Sequence, residues 1–138
     1  MVKTVSVILI TLLVLVSVSA CTSVPEPEYA SAIAEQMLQA INQENYAQFT
    51  QYFDEDILKI MPEKDFQGIV SEVKARAGSY QSKEFLKAEN TGLVTIVYYA
   101  ARFTEEPEDV FVEIRFKEVG EKIYITSFNL DSPKLSGN

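Results

Sequence analysis

Apolar residues between positions 30 and 41 fall at Ala30, Ile33, Ala34, Met37, Leu38 and Ile41. Spacings of three and four put them on one stripe of a helix. Asn45 then reads as a break or cap, and Tyr46, Phe49 and Phe53 carry an apolar face through a second short helix. Asp54-Glu55-Asp56 suits the start of a further turn, because acidic side chains favour a helix amino terminus. Pro62 marks the beginning of another helix, with a stripe of Phe66, Ile69, Val70, Val73 and Ala77 and a natural stop at Gly78.

After Gly78 the period shortens to two. Lys83–Glu89 reads as a strand, Asn90-Thr91-Gly92 as a tight turn and Leu93–Phe103 as a long strand. Residues 104–109 form a polar, acidic loop. Val110, Val112, Ile114 and Phe116 alternate with Phe111, Glu113, Arg115 and Lys117, the mark of a half-buried strand. Gly120 turns the chain, and Lys122–Leu130 completes a hairpin. Helices followed by consecutive antiparallel strands predict an α+β layer fold, amino-terminal helices on a four-stranded antiparallel sheet.

The strand at 93–103 is apolar on both faces. Leu93, Thr95, Val97, Tyr99, Ala101 and Phe103 lie on one, and Val94, Ile96, Tyr98, Ala100 and Arg102 on the other. One face meets the helices, with Tyr99 expected in the core. The second face needs its own cover, either from a partner subunit, which would make a homodimer, or from curvature of the sheet.

The first twenty positions follow a different pattern. Lys3 is their only charge, and an apolar run from Val5 to Val18 ends in Val18-Ser19-Ala20-Cys21. A short apolar stretch closed by small residues is the pattern of a cleaved signal peptide. The tetrapeptide resembles the lipobox of prokaryotic lipoproteins, with Val18 where Leu is commonest. That resemblance implies acylation of the Cys21 thiol, cleavage between Ala20 and Cys21, and a lipid-anchored protein on the extracytoplasmic face of the membrane. In a two-membrane cell, Thr22 after the cysteine resembles an outer-membrane sorting signal. Two acyl chains hold a protein stably where one does not. The competing account is an uncleaved anchor, since residues 4–20 nearly suffice to span a bilayer. The expected layout is a signal peptide at 1–20, lipidated Cys21 and a linker over 21–28, a domain over 29–131 and a polar tail over 132–138. Extended at about 3.1 Å per residue, the linker would hold the domain about 20 Å from the anchor.

Charge and composition then narrow the chemistry. From Cys21 onward the chain carries 11 basic and 20 acidic side chains, a net charge of −9, which repels nucleic acid. There is no His, and Cys21 is the only cysteine. Imidazole catalysis and an intrachain disulfide are therefore excluded, and the usual zinc and redox-metal ligands are missing. Asp54-Glu55-Asp56 lacks the ligand spacing of a calcium loop, and Glu105–Asp109 reads as a solvated turn. No metal, no cofactor and no catalytic residue is assigned. Tyr99 and Arg102 are the candidate ligand-binding residues. Arg102 would recognise an anion, or else simply pair with Glu105 or Glu106.

The stretch Ala34–Tyr46, the aromatics Phe49 and Phe53 followed by Asp54 and Met61, and the closing Val110–Phe116, Gly120–Ile123 and Phe128 resemble nuclear-transport-factor-two-like domains, closest to those of unknown function in small prokaryotic lipoproteins. The resemblance spans roughly residues 29–130. It implies a cone of helices on a curved antiparallel sheet, often with a pocket between them, and commonly a dimer through the sheet. Function belongs to the site and not to the fold. Three readings follow. The first is a non-catalytic module binding a small molecule or an envelope partner. The others are a small isomerase or dehydratase using a buried carboxylate beside a pocket Tyr, and a structural homodimer.

Overall fold

A computed structural model describes residues 21–137. The expected signal peptide and the Ala20 side of the cleavage site lie outside the described residues. The elements run β1 (Thr22–Val24), α1 (Glu28–Gln43), α2 (Tyr46–Phe49), α3 (Glu55–Ile60), α4 (Glu63–Arg76), β2 (Tyr80–Asn90), β3 (Thr95–Phe103), β4 (Val110–Val119) and β5 (Lys122–Asp131). The sheet is antiparallel, open, and ordered β1-β2-β3-β4-β5. It has five strands where the sequence pattern gives four. The extra one is β1, in the segment read as a linker, where Thr22, Ser23 and Val24 pair with Asn90, Glu89 and Ala88. A three-residue polar strand has no periodicity to display, so only its partner reveals it.

The helical stripes form as their spacing demands. Ala30, Ile33, Ala34, Met37, Leu38, Ala40 and Ile41 of α1 are buried. The Asn45 side chain caps α2 by accepting from the Gln48 N–H at 3.1 Å, and Asp54 caps α3 through the Ile57 N–H at 2.9 Å. Helix α4 has Glu63 and Asp65 in its first turn and Lys74 and Arg76 in its last, matching the helix dipole at both ends. Its buried residues are Phe66, Val70 and Val73. The chain leaves α4 through Gly78 at φ +83°, where a Cβ would sit 2.1 Å from Thr104 Oγ1, so a side chain is excluded by both backbone and space.

On the inner face of the sheet, Val97, Tyr99, Ala101, Val110, Val112, Ile114 and Phe116 meet the helices. Phe49 is the hub of an aromatic cluster, with ring centroids 5.3 Å from Phe53, 4.8 Å from Phe66 and 5.3 Å from Phe128. A single parallel bridge, Phe53 to Ile125, fastens the α2–α3 link to part of the β5 edge.

On the outer face the β3 residues are covered from within the chain, while Phe111, paired with Ala100, stays exposed. Lys87 lies 4.7 Å above the Tyr98 ring and pairs with Glu89 at 2.9 Å, while Arg115 pairs with Glu113 at 2.9 Å. These groups flank β3 by register, Glu89 and Arg115 opposite Ile96, and Lys87 and Glu113 opposite Tyr98. Their aliphatic stems shield apolar surface while their charged heads stay in water. Ile96 and Ala100 are consequently buried in the single chain.

The tail is not a free extension. Ser132 is buried, and Leu135 packs against the core. Glu106, which the sequence places in a solvated loop, is 4% exposed. Its carboxylate accepts the N–H groups of Glu108 at 3.2 Å and Lys134 at 3.1 Å. Lys134 Nζ also donates to the Glu105 carbonyl. Burial opposes ionisation of Glu106, but bonds from Ser132 and those two N–H groups, with the Lys134 cation nearby, hold its carboxyl below the usual value.

Candidate functional site

Two regions collect features a site could use. The first is a polar seam along the free length of β2. Tyr80 Oη donates to Glu35 Oε2 at 2.6 Å, and Tyr99 Oη donates to Glu26 Oε1 at 2.7 Å. Lys83 Nζ sits 2.8 Å from Ser31 Oγ, 4.0 Å from Glu35 Oε2 and 4.9 Å from the centre of the Tyr99 ring. The Asn42 side chain brackets the Tyr80 backbone, accepting from its N–H and donating to its carbonyl, both at 2.9 Å. Burial raises the Tyr80 and Tyr99 phenols, and the carboxylate accepting each proton raises it further.

Chemically the seam is a set of clamps. Each phenol is held protonated and already donates to a carboxylate, so neither is poised to give or take a proton near neutrality. Lys83 points inward from a stretch of β2 that β1 does not cover, which discourages another strand from adding there. Sequence reasoning placed Tyr99 in the core, where it is 1% exposed. It missed Glu26, Glu35 and Tyr80. The available signal was the position of Glu35 beside Ala34 on the flank of the buried stripe, facing whichever strand the helix covers.

The second region is an apolar trough between α3–α4 and β5. Two clefts of about 200 Å³ each make it up. One is lined by Phe49, Phe53, Ile57, Ile60, Met61 and Phe128 among others, and the next by Val73, Leu130 and Leu135 with Glu72 and Asn129 at its rim. Ile69 and Phe128 line both, so the two clefts adjoin. The local cause is legible: α3 buries none of its residues fully, and Ile60 stands 71% exposed at the trough mouth. Tyr46 Oη donates to the Met61 carbonyl at 2.7 Å, which pins the corner between α3 and α4.

Arg102 belongs to neither region. It is exposed and pairs through Nε with Asp109 Oδ1 at 3.0 Å, not with Glu105 or Glu106. The structure therefore does not bring Tyr99 and Arg102 together: one is in the seam, the other at the far end of β3. Cys21 is an exposed free thiol immediately before β1. Among the described residues no three His, Cys, Asp or Glu side chains are grouped to hold a metal ion, and no helix is long and apolar enough to cross a membrane.

The architecture defines an α+β domain whose helices pack on an open five-stranded antiparallel sheet. The model of DUF3887, described as a protein family of unknown function, matches residues 34–123, more than half the chain, and the chain belongs to that family. Neither the curated proteins nor the solved structures give a match.

Proposed function

We propose that the chain is exported, cleaved before Cys21 and held on the extracytoplasmic face of a membrane by acyl chains on that residue. Its domain then acts as a non-catalytic module that takes a small apolar molecule in the α4–β5 trough. The trough carries the binding half of this reading. Its walls are apolar, its rim is polar, and it lies between helices and sheet, the arrangement in which ligand clefts form. The same arrangement is what a nuclear-transport-factor-two-like cone would offer, and we read the fold in that sense. The Val18-Ser19-Ala20-Cys21 tetrapeptide carries the anchoring half.

An isomerase or dehydratase would need a phenol–carboxylate pair opening into the cleft. Both pairs of that kind, Tyr80–Glu35 and Tyr99–Glu26, belong to the seam and are absent from the trough lining. That placement favours binding over catalysis. For the homodimer reading, Ile96 and Ala100 are covered by their own chain, while Phe111 beside Ala100 stays 55% exposed on the same face.

The test uses the full chain expressed in a lipoprotein-processing bacterium. Intact mass should show loss of residues 1–20 and a diacylglyceryl adduct on Cys21. Titration with the neutral fluorophore N-phenyl-1-naphthylamine should give saturable binding. Ile60→Asp, at an exposed position, should weaken it roughly tenfold, because a carboxylate at the mouth must be desolvated when the probe enters. Unchanged probe affinity in Ile60→Asp would refute the trough as the binding site.

A further inference from the structure

The turn end of the sheet is the part of the molecule nearest the proposed anchor. Strand β1 is antiparallel to β2 and begins at the Thr22–Asn90 pair, so Cys21 lies beside the β2–β3 turn at residues 91–94. In a meander of this order the β4–β5 turn at residues 120–121 emerges at the same end. Each turn exposes an aliphatic side chain: Leu93 is 86% exposed and Val119 is 51% exposed. Single exposed apolar residues are common. What distinguishes these two is their position. Leu93 lies within about 10 Å of Cys21, and Val119, three strands across, lies about 15 Å away at the usual strand separation.

Charge at this end suits a lipid surface better than the domain as a whole does. Residues 90–95 carry no charge, and Lys117 and Lys122 balance Glu118 and Glu121 around the second turn. A chain with a net charge of −9 beyond residue 20 therefore presents a neutral end beside its anchor. The direction of the chain completes the argument. Cys21 is followed directly by Thr22, the first residue of β1, so an acyl group on that cysteine joins the sheet with no linker in between.

We infer that the turns carrying Leu93 and Val119 form a membrane seat, so that the domain stands on the bilayer by its sheet end in one orientation instead of swinging on a tether. The occupant is the surface of neutral, zwitterionic phospholipid that holds the Cys21 acyl chains. The inference rests on the anchoring reading above and adds to it a contact surface and a direction. In that stance the 104–109 loop and the docked tail face away from the membrane.

The chain contains no Trp, so a single introduced Trp reports its own depth. The lipidated full chain, bearing Leu93→Trp, Val119→Trp or Pro107→Trp, is reconstituted into phosphatidylcholine vesicles with brominated acyl chains. Emission from positions 93 and 119 should fall roughly twofold, as expected of residues at the headgroup–acyl boundary, while position 107 at the opposite end stays unquenched. If either turn is quenched no more than position 107 in protein whose mass carries the lipid, the seat is refuted and the anchor stands. If Cys21 proves unmodified by mass, the anchor falls and the seat falls with it.

Discussion

Helix α1 meets the sheet through a buried stripe reinforced by hydrogen bonds: Asn42 on the Tyr80 backbone, Glu35 on the Tyr80 phenol and Lys83 on Ser31. Helix α4 faces β5 across a mainly apolar gap with Glu72 and Asn129 at its rim, and among the described residues no side-chain hydrogen bond joins the two. Polar ties with directional geometry fix one side, while a gap spanned by Ile69 and Phe128 leaves the other able to yield. On the function proposed above, the difference separates scaffold from site: the cleft sits where few bonds have to break, and the chemistry-bearing side chains sit where they hold the frame.

The same truncation should therefore have unequal consequences on the two sides. Leu38→Ala, at a fully buried α1 position, should cost about 3 kcal/mol of folding stability in urea denaturation. Ile60→Ala, on α3 at the trough mouth, should stay within about 0.5 kcal/mol. A comparable loss from both would erase the contrast.

Removing one clamp comes next. Tyr99→Phe deletes only the oxygen that donates to Glu26 and should cost about 1.5–3 kcal/mol, as expected for a hydrogen bond to a charged acceptor. The raised phenols of Tyr80 and Tyr99 favour the folded state at all pH values below the ordinary phenol value. That contribution disappears as pH rises through their elevated folded-state values. Absorbance of the phenolate should therefore show these two tyrosines ionising only as the fold opens, and in Tyr99→Phe the late step should be smaller.

The tail offers a smaller, local effect. Because the folded-state value of Glu106 is lowered, its contribution is present above the ordinary carboxylate value and is lost as pH falls through that lowered value. Acidification should release residues 132–137 to proteolysis before the core unfolds, and Glu106→Gln should release them at neutral pH. Equal protection in Glu106→Gln would show that Leu135 packing alone holds the tail.

How much of this was legible in the sequence follows from what each feature depends on. The helices and the four long strands announce themselves because burial of one face imposes a period on their own residues; Val110, Val112, Ile114 and Phe116 are all buried as their alternation requires. Strand β1 depends on backbone pairing with Ala88–Asn90, and backbone pairing leaves no trace in side-chain type. The docked tail depends on Glu106 accepting two backbone N–H groups across a turn, so an acidic loop that looked solvated hides a buried carboxylate. The trough was illegible for a related reason: a gap between α4 and β5 depends on how far apart the elements stand, and apolar residues that line a cleft read the same as those that fill a core.

Hydrogen exchange measured by mass spectrometry on the full chain, with and without N-phenyl-1-naphthylamine, tests the contrast most directly. The account predicts that amides in α4 and in residues 126–131 of β5 exchange at least about tenfold faster than those in α1 and β3, and that the probe slows exchange only in the faster set. Uniform protection across both sides, or slowing by the probe along α1 and β2, would contradict it.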